Sequence, residues 1–174
     1  MLRLLSFLLF FSLMEAKSQT VPGNTGSKVK KEDAVTALRF HNKVRKDVGA
    51  PPLQWSVEAA AFAQAWAEKL AANGCKIQHR PYSGTWAQKY GENIYFFSGN
   101  ATPLMASNAW YNEIKEFTYG KLERNSWAKS GHYTQMVWRT TTKVGIGIAS
   151  CPSGASIIVA NYDPAGNFMG DKPY

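Results

Sequence analysis

The sequence predicts an α+β domain in which helices pack against an antiparallel sheet. Apolar residues recur at helical spacing in three segments of the first two thirds of the chain, whereas the last third reads as short strands. The links between the later strands are short, at 140–142 and 152–154, which favours antiparallel hairpins over helical crossovers. Helices first and strands last are typical of this class, and 174 residues indicate a single domain.

Two segments precede that domain. Residues 1–18 read as a secretory signal peptide, because Arg3 is followed by an almost unbroken apolar run at 4–14 and by small residues before the cleavage point. We therefore expect an extracellular protein with no transmembrane anchor after cleavage; a retained anchor is the alternative. Residues 19–31, rich in Gly, Ser, Thr and Lys and without periodicity, predict a flexible basic arm.

The charge balance excludes one class of partner. Lysine and arginine number 20 against 12 aspartates and glutamates, a formal net charge of +8. The basic residues are scattered, without zinc-finger spacing, a basic zipper or an aromatic RNA-binding signature. We expect no nucleic-acid partner, and attraction to an anionic cell surface is the more natural use of the charge.

Three helices are expected before the strands. The first covers 32–48 and places His41 on its apolar stripe, where a histidine is more often a satisfied core residue than a ligand. Ser56 is the expected N-cap of the second helix and Thr102 that of the third. Along the third helix Glu113 lies on an otherwise apolar face, and a buried carboxylate needs a partner.

The last third predicts strands at 133–139, 144–150 and 156–162. In the first of them, alternation turns Tyr133 and Gln135 to the face opposite His132. Two cysteines in a secreted chain predict one structural disulfide, between Cys75 and Cys151.

Four polar residues fall at positions that the pattern predicts to be partly buried: His41, Glu92, Glu113 and His132. Two imidazoles and two carboxylates suit zinc or another divalent cation. They also form a set in which each carboxylate orients an imidazole. The alternative is two unrelated buried His/Glu pairs.

At these residues the chain resembles a known family. The motifs are HNKVR at 41–45, LQW at 53–55, GENIY at 91–95, the stretch at 131–138 and NYDP at 161–164. Over about 34–174 they resemble the CAP superfamily, which includes plant pathogenesis-related protein 1, antigen 5 and the cysteine-rich secretory proteins. We assign 32–174 to this CAP (SCP) domain.

The resemblance implies a three-layer α-β-α sandwich with a central cleft. It implies a metal-binding tetrad in that cleft, which maps to His41, Glu92, Glu113 and His132. Some members bind sterols or fatty acids through an aromatic loop, which corresponds here to Tyr82, Trp86, Tyr90 and Tyr95. Plant members are associated with defence, and we expect a monomer.

The departures from the family are informative. Plant members usually carry six cysteines, and only the pair Cys75 and Cys151 is kept, at the place of one family disulfide. Ile146 and Ala160 take strand positions where a second bridge usually lies. Residues 164–174 resemble a defence peptide released from some plant members; a tail packed onto the sandwich is the alternative.

The sequence favours a binding protein over an enzyme. It has no HExxH helix and no G-x-S-x-G elbow. Ser130, close to His132, is discounted as a nucleophile because its position matches a structural cysteine of the family. We assign no catalytic residue, and the alternative is a zinc-dependent hydrolase or protease that uses the same cleft.

Overall fold

A four-stranded sheet divides the molecule into two cores. The computed structural model describes residues 20–174, so the expected signal peptide at 1–18 lies outside the described residues. The elements are, in order, α1 (Lys31–Asp47), β1 (Gln54–Trp55), α2 (Val57–Ala72), β2 (Gly91–Phe97), α3 (Pro103–Asn112), a 3₁₀ turn (Glu113–Glu116), α4 (Arg124–Met136), β3 (Lys143–Ser150) and β4 (Ser156–Asp163).

The strand order is β1-β3-β4-β2. The strands β2, β3 and β4 pair antiparallel, as expected, whereas the two-residue β1 pairs parallel to β3. Ile146 lies opposite Ala160 in the β3–β4 pair, and both side chains are fully buried. Apolar packing therefore occupies the strand positions at which the family resemblance implies a second disulfide.

Alternation along β4 supplies both cores. Ile157 and Val159 pack in a cluster with α2, whereas Ile158, Ala160 and Tyr162 pack in a cluster with α1, α3 and α4. The sheet is thus covered by helices on both faces. The predicted α+β class and the three-layer sandwich are confirmed.

Helix α2 lies unusually close to β3. A β-carbon at Gly145 would collide with the backbone of Ala60, and one at Gly147 would collide with the backbone of Gln64. Glycine at these two positions lets the helix approach the sheet. The disulfide between Cys75 and Cys151 then joins the end of α2 to the end of β3, as predicted, with 5.9 Å between the Cα atoms.

The expected helix caps are present. The Ser56 hydroxyl accepts a hydrogen bond from the Ala59 amide at 3.1 Å, and the Thr102 hydroxyl accepts one from the Met105 amide at 3.3 Å. Both helices begin where the sequence indicated.

The predicted strand at 133–139 is wrong, because this stretch forms most of the second half of α4. The helix breaks at Ser130, whose φ is −138°, and then continues to Met136. Tyr133, Gln135 and Met136 are all buried. Since the stretch is buried on every side, its apolar pattern carries no helical period, and the inferred alternation of faces does not apply.

Residues 20–30 also do not form the predicted flexible arm. Val21 and Val29 are buried in the core that β4 forms with α1, α3 and α4, which we call the α1-side core. The Trp55 indole donates a hydrogen bond to the Thr25 carbonyl at 2.9 Å, and the Lys28 amide donates one to Gln64. This segment is therefore part of the folded domain. Within 20–174, no helix is long and apolar enough to cross a bilayer.

Candidate functional site

Two histidine–carboxylate pairs line one cleft of about 120 Å³. The first pair is His79 with Glu92, and the second is His132 with Glu113. The pairs come from four places: the loop before β2, the start of β2, the 3₁₀ turn after α3, and α4. Asn93, Trp127, Ala128, Gly131 and Asn167 complete the walls.

The first pair is anchored in the interior. His79 Nδ1 donates to Glu92 Oε1 at 2.8 Å, and the Arg80 amide donates to the same oxygen at 3.1 Å. The Glu92 side chain is inaccessible to solvent, whereas that of His79 is half exposed. A buried carboxylate thus orients an imidazole that reaches the cleft.

The Arg80 side chain lies behind this pair. Its guanidinium stacks on Phe62, 3.7 Å from the ring centroid, and donates to the Phe62 carbonyl at 2.7 Å. Its Nε lies 3.9 Å from Glu92 Oε2, and neither atom has a hydrogen-bond partner. Burial lowers the pKa of Arg80, and the charge of Glu92 opposes that change. Arg80 is therefore the cation that compensates the buried carboxylate.

The second pair is built on a helix start. Glu113 Oε1 accepts from His132 Nδ1 at 2.6 Å, while Oε2 accepts from the backbone amides of His132 at 2.9 Å and Tyr133 at 3.2 Å. The amides just after the break at Ser130 lack partners within the helix, so a carboxylate from another element satisfies them. Glu113 orients the His132 ring and caps the second half of α4 at once.

Both rings use Nδ1 for a carboxylate, so each is the tautomer that leaves Nε2 as the atom able to bind a metal. Two imidazole donors with carboxylate partners behind them suit zinc chemically. Across residues 20–174, however, no three histidine, cysteine, aspartate or glutamate side chains are grouped closely enough to hold an ion. The donor set fits a divalent cation that keeps water or another ligand at its remaining positions.

His41 does not belong to the cleft, so its predicted place in the tetrad is wrong. It is fully buried on α1, where Nδ1 donates to the Ala37 carbonyl and Nε2 accepts from the Tyr162 hydroxyl, both at 2.9 Å. Desolvation lowers its pKa from 6.5 to about 4. His79 is the residue that the sequence reasoning missed. The chain has three histidines, and spacing alone did not decide which two converge.

His41 nonetheless supports the cleft from behind. The Asn93 side chain donates to the Tyr162 hydroxyl at 3.3 Å and to the His132 carbonyl at 3.0 Å. A buried hydrogen-bonded chain therefore runs from His41 through Tyr162 and Asn93 to the backbone of His132. Burial raises the pKa of Tyr162, so its hydroxyl keeps the proton that it donates.

The aromatic residues predicted to form a lipid loop do not share one surface. Tyr82 is 94% exposed. Trp86 packs against Trp66, with ring centroids 5.7 Å apart, and Tyr90 is buried edge-on against Phe62. Tyr95 lies in β2 and packs against the α1-side core. Tyr82 is the one of the four that is fully presented to solvent; Trp86 and Tyr95 are half-buried and Tyr90 is buried.

The end of the chain lies against α4. The Gly166 amide donates to the Gln135 side chain at 3.0 Å, and Asn167 exchanges hydrogen bonds of 2.7 Å with the Thr134 hydroxyl and the Gly131 carbonyl. Residues 164–174 thus form a packed tail in this structure. Asn167 lines the cleft, and no sequence pattern predicted this. Its side chain is held there by the hydrogen bonds to Thr134 and Gly131.

Comparison with known proteins gives consistent results. A model of the cysteine-rich secretory protein family (CAP) matches residues 38–162. Pathogenesis-related protein 1 of Arabidopsis thaliana is 40% identical over 137 residues, which covers 79% of this chain and 80% of the relative. Cysteine-rich secretory protein 2 of Homo sapiens is 40% identical over 145 residues, covering 77% of this chain and 58% of the relative.

Solved structures share this fold. The crystal structure of NaASP2 with Zn²⁺ superimposes with a TM-score of 0.74 at 27% identity and covers 88% of each chain. Na-ASP-1 superimposes with a TM-score of 0.75 at 27% identity, covering 89% of this chain and 44% of the other.

Proposed function

Because the chain belongs to the cysteine-rich secretory protein family, we propose that it is a secreted defence or host-interaction protein of the pathogenesis-related protein 1 type. It acts by binding rather than by catalysis. Its cleft binds a divalent cation, preferably zinc, through His79 and His132. The observation that carries the proposal is the pair of carboxylate-oriented imidazoles lining one cleft. The zinc in a structural relative at 27% identity supports the choice of ion.

The residues around the cation have separate tasks. His79 and His132 supply the two Nε2 donors, while Glu92 and Glu113 fix the rings through Nδ1. When bound, the cation supplies positive charge to the cleft and attracts an anionic or carbonyl group of a partner. Ser130 offers no nucleophile, because its hydroxyl is buried and donates to the Ser126 carbonyl at 2.8 Å.

Metal titration of the folded protein tests the cation site. We expect zinc binding in wild type and a loss of roughly tenfold or more in affinity in His79→Ala and in His132→Ala. Gln78→Ala is the matched control, since this exposed side chain is next to His79 in the sequence but does not line the cleft, and the variant should bind zinc as wild type does. Retained binding in both cleft variants would contradict the proposal. Zinc-dependent turnover of a peptide library, abolished by Glu92→Gln, would replace it with the hydrolase alternative.

A sterol or another lipid is the second proposed ligand, taken at the loop before β2. Tyr82 is the aromatic residue of this loop that stands free in solvent. Titration with a fluorescent sterol should show weaker binding in Tyr82→Ala. Phe96→Ala, an exposed aromatic on β2, should leave binding unchanged. Equal affinity in wild type and Tyr82→Ala would remove this loop from the lipid site.

A further inference from the structure

An apolar turn projects from the C-terminal segment. Residues 168–171 form a β-turn in which the Asp171 amide donates to the Phe168 carbonyl at 3.2 Å, and Gly170 takes the left-handed conformation at φ +88°. Phe168 and Met169 are 55% and 54% exposed. Polar residues are usual at such a tip, so two large, half-exposed apolar side chains there form an exposed apolar surface.

The turn is held rigidly. The Gly170 amide donates to the Leu122 carbonyl at 2.9 Å, and the Leu122 amide donates to the Asp171 carbonyl at 2.8 Å. The Phe168 ring packs edge-on against buried Trp138, with centroids 6.1 Å apart. These contacts hold the tip in one conformation. Little conformational entropy is therefore lost when the tip binds another surface.

Cationic side chains flank the tip. A groove of about 490 Å³ beside Phe168 is lined by Arg139 and Lys172, with Asp171 as the one acid in its lining. The Lys172 ammonium lies 5.0 Å from the ring centroid of Tyr119, itself half exposed. We call Tyr119, Arg139, Phe168, Met169 and Lys172 the cationic aromatic patch.

We propose that the cationic aromatic patch docks the protein on an anionic phospholipid bilayer. Phe168 and Met169 enter the interfacial region, where apolar and aromatic side chains are stabilised. Arg139 and Lys172 stay at the level of the lipid phosphates, where each basic side chain adds attraction to an anionic surface. Charge complementarity selects this occupant, because exposed apolar side chains beside two cations match a surface whose headgroups are negative and whose interior is hydrocarbon.

Vesicle co-sedimentation tests the proposal. Wild type should bind vesicles of phosphatidylcholine with phosphatidylserine and should not bind phosphatidylcholine alone. Arg139→Gln with Lys172→Gln should weaken binding by roughly 30-fold, and Met169→Ser by about tenfold. Met169 is exposed at the turn tip, so its replacement leaves the fold intact, as circular dichroism should verify.

Two matched controls separate the patch from general effects. Arg39→Gln with Lys46→Gln removes the same charge from the exposed face of α1, and Ile77→Ala removes an apolar side chain that is exposed elsewhere. Both should bind vesicles as wild type does. An equal loss in the Arg39 and Lys46 variant would overturn the proposal, since net charge would then explain binding. So would full displacement by soluble glycerophosphoserine, because the groove would then be a headgroup pocket.

Discussion

The hydroxyl of Tyr162 donates a hydrogen bond to Nε2 of His41 across 121 positions of the chain. This bond fixes His41 as a neutral acceptor in the core between α1 and β4. His41 therefore supports the cleft from the core, whereas His79 and His132 line it.

Protonation of His41 should make the fold sensitive to acid. Desolvation lowers its pKa from 6.5 to about 4. As pH falls from 6.5 towards 4, the unfolded chain binds a proton that the native state does not, so the free energy of unfolding falls in that window, by about 3 kcal/mol at most. Urea unfolding of wild type and His41→Gln at neutral and acidic pH measures the effect. A stability difference between them that does not change with pH would contradict it.

Removing the Tyr162 hydroxyl should destabilise the core. Tyr162→Phe leaves the buried Nε2 of His41 without a donor and the Asn93 amide without one of its acceptors. An unsatisfied buried polar atom costs about 1–3 kcal/mol in the free energy of unfolding. Tyr82→Phe is the control, because that hydroxyl is in solvent, and it should unfold at the wild-type denaturant concentration.

The buried Arg45 should not be replaceable by lysine. It is fully buried and donates to the carbonyls of Pro51, Met136, Trp138 and Thr141. Lysine has three donors at one point and does not reproduce the planar fork, so we expect Arg45→Lys to lose about 2–3 kcal/mol of stability. Arg39→Lys, on the exposed side of the same helix, should lose less than ~0.5 kcal/mol. Chemical denaturation compares the two, and equal midpoints would show that the fork is not required.

Arg80→Met should destabilise the protein through Glu92. The substitution keeps an apolar body beside Phe62 but removes the cation next to a carboxylate whose side chain is inaccessible. An uncompensated buried charge costs about 3–5 kcal/mol. The double variant with Glu92→Gln should recover part of the loss, because the charge is then gone, and thermal unfolding of the three variants measures the coupling. Additive losses would mean that the two residues act independently.

Alanine at Gly147 should be far more damaging than its size suggests. Its β-carbon would meet the backbone of Gln64, which belongs to α2 and cannot turn aside as a side chain can. We expect Gly147→Ala to cost about 3 kcal/mol or more, or to prevent folding. Gly120→Ala is the control, since open space surrounds that position. The yield of folded protein and its melting temperature distinguish the outcomes.

Much of the fold could be predicted from the sequence, because helix caps and short strand links depend on residues that are close together in the chain. The caps at Ser56 and Thr102, and the short links before the strands at 144–150 and 156–162, predicted the right elements and the right class. The family resemblance is confirmed by the matched model and by relatives at 40% identity.

The errors lie where distant residues decide. The helix that follows Ser130 is capped by the carboxylate of Glu113, which accepts from two amides 19 and 20 positions away. Glu92, Glu113 and His132 lie together in the cleft, but His79 occupies the place that was expected of His41. Their assignments depend on Glu92 and Tyr162, which no periodicity in the sequence connects to them.

The packing of the tail against α4 has a consequence for proteolysis. Asn167 belongs both to residues 164–174 and to the wall of the cleft beside His132. A protease that cut the chain before Pro164 and released the peptide would remove that wall in the same event. Loss of residues 164–174 would therefore also open the cleft beside His132, since Asn167 would leave with them.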